Sequence, residues 1–467
     1  MTAIAQRLPS LAQVSGKLGL NLDPFRLALA LLIIISVSRI HQHFRPIAMT
    51  RPALLLAFGA LAYAYLNPKK VSLKGIFTTT PARLVMAMFV LACVSAPFGL
   101  SLGNSGRFIL ESYSKVIVGT LLFIAAIRNV RDLYTFVWAY AIGCSILVWL
   151  SIFVFGLYRP EGGFNIRLEG LYRYDANDVG VVLLVGLGMI LLLIQVAGTW
   201  GKVLAIATLV GIGVTMARSG SRGSFLGMIV VGVALLLLLR KVAIWKRVAA
   251  IVVTSTALVL SAPPGYWEQM RTLLNPKQDY NWTSDTGRKE VTKRGFSYMM
   301  GRPLTGLGIN NFWRAECLET EFARVQNRLA GHGIRCTAPH NSYVEAGAEL
   351  GIPGLVIWLW LVMGGIVQMV RLRSRIPKSW DRGTQEQRFL FHAPQYLAVS
   401  MVGFAVTSFF VSFAWMDIVY TLIAIMTGLI VVVRQRVPQE VPDQAAISAP
   451  RLPRRVPGFR SLRTPAR

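Results

Sequence analysis

The chain reads as an all-α membrane protein, a polytopic bundle of about twelve transmembrane helices with one long, partly helical loop outside the membrane. Three observations predict this. Hydrophobic residues fill 54% of the 467 positions and charged residues only 15%, where a soluble domain carries about 25% charge. Mean hydropathy is +0.53. Apolar runs close to or beyond the roughly 20 residues that cross a bilayer recur along the chain.

The first span is expected near 26–40. It follows a mixed segment ending at Asp23-Pro24 and has no small-residue cleavage site behind it, so it reads as a retained span. Further spans are expected near 50–66, 83–102, 112–127, 132–157, 179–197, 200–217, 222–240 and 247–264, an N-terminal bundle over 1–264. A long loop over 265–342 follows, with helix-like stretches at 286–300 and 312–329. Spans near 343–370, 392–413 and 418–433 form a C-terminal group over 343–433. The Pro- and Arg-rich stretch 434–467 reads as a disordered, basic cytoplasmic tail.

The formal net charge of +28 invites a nucleic-acid reading. Its placement argues against one. Lys69, Lys70, Arg128, Arg131, Lys202, Arg240, Lys241, Arg371, Arg373 and Arg375 fall in loops on a single side of the expected bundle. The positive-inside rule makes that side cytoplasmic and accounts for the charge by membrane lipids alone. Arg39, Arg45 and Arg51 run against the trend and make the first hairpin the weakest part of the topology.

Cys93 and Cys144 lie in apolar runs and read as packing residues. Cys317 and Cys336 share the long loop, where a disulfide is permitted if the loop is extracytoplasmic. No Cys/His spacing suggests a metal site.

Four short segments face away from the basic side, and each has a bland and a chemical reading. Arg218 and Arg222 flank a turn between two apolar runs. They are either interfacial anchors or, since cations are disfavoured on that side, an anion site suited to phosphate. In Ser284-Asp285-Thr286-Gly287-Arg288, Gly before Arg at a helix start allows close approach of an anion, or Arg288 is simply solvated. Tyr174-Asp175-Ala176-Asn177-Asp178 is a helix start, or a set of hydrogen bonds to sugar hydroxyls. Pro339-His340-Asn341-Ser342-Tyr343-Val344-Glu345 puts an imidazole where the long loop re-enters the membrane. A lone histidine is more often packed or solvated than catalytic, but near neutral pH it can accept a proton. With Pro339 before it, His340 is expected at the helix start, sharing a face with Val344, Gly347, Gly351 and Gly354. Glu345 and Glu349 lie near the membrane entry, where an ionisable residue is a functional candidate.

Together these segments resemble the O-antigen ligase and O-antigen polymerase superfamily of bacterial membrane glycosyltransferases. The ligase pattern runs His, then Asn/Ser/Gln, nine residues, Gly, two residues, then Gly/Thr/Tyr; here it is His340-Asn341 followed by Gly351 and Gly354. A second pattern, Arg, three residues, Leu, is Arg222 to Leu226. The acidic motif appears as Asp175-Ala176-Asn177-Asp178, with Ala where Pro is common. Gly287-Arg288 and Pro303-Leu304-Thr305-Gly306-Leu307-Gly308 also fit.

The resemblance implies a GT-C-like bundle in the bacterial inner membrane with its active site facing the periplasm. It implies inverting, metal-independent transfer without a cofactor, from undecaprenyl pyrophosphate to lipid A core or another glycan acceptor. Arg222 and Arg288 would hold the pyrophosphate, with Arg218 as a helper. His340 would be the general base. Asp175, Asn177, Asp178, Asn341, Tyr343 and Glu345 would support the site or bind the acceptor. A polymerase shares this chemistry and differs in acceptor. A transporter of lipid-linked oligosaccharide is the competing class, but it would spread charge on both sides of the membrane midplane.

Overall fold

The computed structural model describes residues 18–448 apart from 160–165, 171–173, 276, 278, 280–281, 283, 285–286, 320–322 and 326–335, with side chains in the last helix as far as Val437. It is built from helices. Three apolar helices are short: α1 (Pro24–Ser38), α2 (Pro52–Leu66) and α8 (Arg222–Leu238). Nine helices among the described residues are long and apolar enough to cross a membrane. They are α3 (Thr80–Phe98), α4 (Leu102–Ala126), α5 (Val130–Phe153), α6 (Ala176–Val196), α7 (Thr199–Ser219), α9 (Ile244–Ser261), α11 (Ser342–Ser374), α12 (Gln385–Thr407) and α13 (Asp417–Ser448, its apolar part ending at Val437). Helix α10 (Arg288–Gly301) belongs to the long loop. One small antiparallel pair, β1 (Leu157–Tyr158) with β2 (Arg167–Leu168), decorates the loop before α6.

Local signals set the helix starts. Asn129 and Asp132 form a reciprocal capping box at α5, as Asp175 and Asp178 do at α6. Ser221 caps α8 and Asn341 caps α11. Helix α6 is the centre: 89% of its apolar window is buried. Gly180, Gly186 and Gly188 leave no room for a Cβ against Ser224, Cys144 and the Tyr396–Ser400 backbone. Three neighbours, α8, α5 and α12, therefore approach α6 closely.

One expectation needs correction. Helix α13 runs to Ser448, past the boundary at 433, while residues 449–467 lie outside the described residues. The described residues of the stretch 312–329 are helical, over Phe312–Arg314, a π turn at Ala315–Glu319, and 323–325; 320–322 and 326–329 lie outside the described residues.

Helix α11 is broken. Gly351 adopts φ 73° and ψ −169°, two residues before Pro353. Pro353 has no amide to give, so the Glu349 carbonyl loses its helical donor, and the kink also frees the Ala348 carbonyl. The long loop supplies both partners. Leu307 N donates to Ala348 O at 2.8 Å and Gly308 N to Glu349 O at 2.9 Å, while Ile352 N donates to Pro303 O at 2.7 Å. Such a break persists inside an apolar bundle only when its backbone groups are paired again. The break also means that the expected stripe of His340, Val344, Gly347, Gly351 and Gly354 is not one continuous helix face.

Candidate functional site

His340 is not the first residue of its helix. It precedes the cap, Asn341, and its backbone is left-handed, φ 46°. Its amide donates to Ser412 Oγ at 2.9 Å. Few side chains adopt this conformation without support. The support is the turn between α12 and α13. Ser342 N donates to Ser408 O at 2.8 Å, Ser342 Oγ to Val411 O at 2.8 Å, and Phe413 N to Ser342 Oγ at 2.9 Å. Below, Ala414 N donates to Glu345 Oε2 at 2.9 Å and Trp415 Nε1 to Glu349 Oε2 at 2.8 Å. Glu349 also accepts from Asn310 N at 2.6 Å and Phe312 N at 3.1 Å. Glu345 and Glu349 are therefore buried acceptors that lock two loops onto α11.

The other residues of this segment are structural as well. Asn341 Oδ1 accepts from the amides of Tyr343 and Val344. Tyr343 is buried, donates to Ala405 O at 2.8 Å and stacks on Phe409. Asn341, Tyr343 and Glu345 thus all make intramolecular hydrogen bonds that brace this helix start.

The arginines divide. Arg222, at the first position of α8, donates from Nη1 to Thr272 Oγ1 at 2.7 Å and pairs with the Asp279 carboxylate. Arg218, at the end of α7, turns to the finish of α5, where Nε donates to Ser151 O at 2.9 Å and Nη2 to Phe155 O at 3.2 Å. It satisfies carbonyls that helix termination leaves open. Arg288 is the first residue of α10. Asp285 and Thr286 of its stretch lie outside the described residues.

Packing brings Arg222, Arg288 and His340 to one end of the bundle. Helix α10 runs parallel to α11: Val291 and Val344 share a small buried cluster, Gly295 abuts Val344, and Met299 abuts Gly347. Arg288 and His340 thus lie at neighbouring helix starts. Gly223 is pressed against Phe410, two residues before Ser412, so the Arg222 turn and His340 share one support. Gly180 against Ser224 sets the start of α6 beside the start of α8. These N-termini add positive dipole ends to the arginine charges.

Asp175 accepts from the amides of Asn177 and Asp178 at 2.6 and 2.8 Å, and Asp178 Oδ2 accepts from Asp175 N at 2.9 Å. These two carboxylates cap the start of α6. Asn177 Oδ1 accepts from Arg167 Nη2 at 3.1 Å, and Arg167 Nε donates to Ser219 O at 3.2 Å.

The anomalous Arg39 belongs here too. Its Nη2 donates to Asp417 Oδ1 at 2.8 Å, and its guanidinium lies over the Tyr174 ring. Burial works against the Arg39 charge, but Asp417 outweighs it and holds the guanidinium above its usual range. Burial likewise pushes the Tyr174 phenol up.

Sequence reasoning missed Ser412, Asp279, Thr272, Arg167 and the Arg39–Asp417 pair. A carboxylate in a basic loop was the one available signal for Asp279. The disulfide permitted by the sequence is present: Cys317 and Cys336 are joined, with Cα atoms 4.9 Å apart. Next to it, Arg294 holds Glu316 by Nε at 2.9 Å and Nη2 at 2.6 Å, and Tyr298 donates to the same carboxylate at 2.7 Å. Among the described residues no three His, Cys, Asp or Glu side chains are grouped as metal ligands would be.

Fold and site define a multi-pass helical membrane protein with two arginines and a histidine gathered where loops meet helix starts. Residues 206–359 match the family model described as O-antigen ligase, a stretch that holds Arg222, Arg288 and His340. Over that stretch, about a third of the chain, the protein is similar to the O-antigen ligase family. No curated protein matches it.

Proposed function

We propose that the chain is a ligase-like glycosyltransferase that moves a glycan from undecaprenyl pyrophosphate to an acceptor hydroxyl, on lipid A core or a similar glycan, at the periplasmic face of the bacterial inner membrane. The observation that carries this reading is the convergence of Arg222, Arg288 and His340, from three separate helix starts, within the family-matched stretch.

In this reading the His340 imidazole takes the proton of the acceptor hydroxyl. The acceptor oxygen then forms a bond to the anomeric carbon from the face opposite the pyrophosphate. The bond from that carbon to the pyrophosphate oxygen breaks, its electron pair leaves with the oxygen, and configuration inverts. Arg222 and Arg288 offset the charge that develops on the leaving group. One charge pair at 4 Å is worth about 4 kcal/mol at an effective dielectric of 20, before desolvation. Two such pairs would supply a large part of the barrier reduction without a metal ion. Asp279 holds Arg222 ready, and a pyrophosphate oxygen would compete with it. A positioned base adds about 10²–10⁴-fold.

The test uses the full chain in lipid vesicles with a labelled undecaprenyl-pyrophosphate repeat unit, with and without lipid A core. Transfer that needs lipid A core supports a ligase. A product ladder from donor alone makes the protein a polymerase instead. His340→Ala should abolish transfer and leave donor binding near wild type; full activity in that variant overturns the base assignment.

A further inference from the structure

At the end of the bundle opposite His340, a groove of about 320 Å³ opens between the start of α3, the last turns of α11 and the side of α13. Residues 360, 364, 367, 368, 371 and 375 of α11 line it, a single helix face by their spacing. The face changes character along its length. Trp360 and Val367 are exposed apolar side chains. Arg371 and Arg375 follow, one turn apart, and Arg434 of α13 faces them across the groove. From Trp360 to Arg371 the helix rises about 16 Å, the length of a good part of an acyl chain.

Two further features sharpen the basic end. No side chain caps the start of α3, because Thr79 Oγ1 donates to the Gly75 carbonyl instead. Arg434 Nη1 leans over that start, 3.4 Å from Thr78 O. Among the described side chains, the nearby carboxylates are taken elsewhere: Glu386 pairs with Arg131 and Arg436, and Asp381 with His392. Among the described residues no ion pair involves Arg371, Arg375 or Arg434.

We propose that this groove binds an anionic phospholipid of the cytoplasmic leaflet, its phosphate between Arg371, Arg375 and Arg434 and one acyl chain along Val367 and Trp360. A soluble phosphate would have no use for the apolar wall, and a zwitterionic lipid none for three arginines without carboxylates. Arginines at the end of a helix face that is apolar before them match the order of headgroup and hydrocarbon at an anionic membrane surface. The site is remote from the proposed chemistry and independent of it.

The full chain, purified in detergent and mixed with equal amounts of phosphatidylglycerol and phosphatidylcholine, would be examined by native mass spectrometry. The wild type should retain phosphatidylglycerol preferentially. The variant Arg371→Gln/Arg375→Gln/Arg434→Gln should lose that preference by about tenfold or more. The variant Arg240→Gln/Lys241→Gln, altered in another basic loop, should keep it. Equal retention by the triple variant, or equal loss in the control, overturns the site. A photo-crosslinking residue at position 367, with all arginines intact, decides the matter even if the triple variant misfolds. It should capture phosphatidylglycerol; capture of both lipids alike overturns the proposal.

Discussion

Ser412 Oγ accepts the His340 amide at 2.9 Å and so braces a left-handed histidine from the turn between the last two helices. If His340 is the base, this contact aims it. Ser412→Ala removes the acceptor and frees the backbone to relax. Transfer should fall about 10- to 100-fold at unchanged donor affinity, since small misplacements of reacting groups cost that much. Ser412→Thr keeps the hydroxyl and should recover most of the rate. A turnover assay on the two variants checks it, and full activity in Ser412→Ala would exclude the positioning role.

Gly351 carries the break in α11. Its φ of 73° with ψ of −169° is a region that only glycine enters readily. A Cβ there would also meet the backbone of Pro303 and Leu304. Gly351→Ala should destabilise the protein by about 2–4 kcal/mol. Gly103→Ala, where a Cβ meets nothing, should change stability by less than about 0.5 kcal/mol. Thermal unfolding in detergent separates the two.

The helices were legible because a bilayer demands long apolar runs, and the segments around Arg222, Arg288 and His340 because each is local in sequence. What stayed hidden is what joins them. His340 meets Ser412 across 72 residues, Arg222 meets Asp279 across 57, and Arg39 meets Asp417 across 378. No periodicity carries such pairings. Arg218 and Arg222 flank one turn on the side where cations are disfavoured, yet a helix ends between them and the two side chains reach different partners. The glycine stripe on α11 assumed an unbroken helix, although Gly351 and Pro353 together are a readable break signal.

Arg39 and Asp417 tie the first helix to the last. Both side chains are partly buried, 18% and 24% exposed, so solvent screens the pair only in part. Arg39→Gln leaves Asp417 facing Tyr174 without its cation and should cost about 2 kcal/mol. Asp417→Asn should cost a similar amount. The double variant should cost less than the sum, because the two changes break one interaction. A double-mutant cycle of thermal stabilities tests this; strict additivity would mean that the pair contributes nothing beyond its separate contacts.

The Cys317–Cys336 disulfide closes a loop of 19 residues' separation, and its first cysteine adjoins Glu316, the carboxylate that holds Arg294 of α10. Burial opposes the Arg294 charge, but Glu316 prevails and raises its hold on the proton. The disulfide therefore anchors the partner that steadies the helix carrying Arg288. Removing it with Cys317→Ser/Cys336→Ser should destabilise the loop by roughly 3 kcal/mol on chain-entropy grounds. The expected signature is local: faster amide exchange over 288–301, with α6 and α12 unchanged. Faster exchange across the whole bundle would instead mean that the disulfide supports global folding, and no change would mean that the ion pair holds α10 without it.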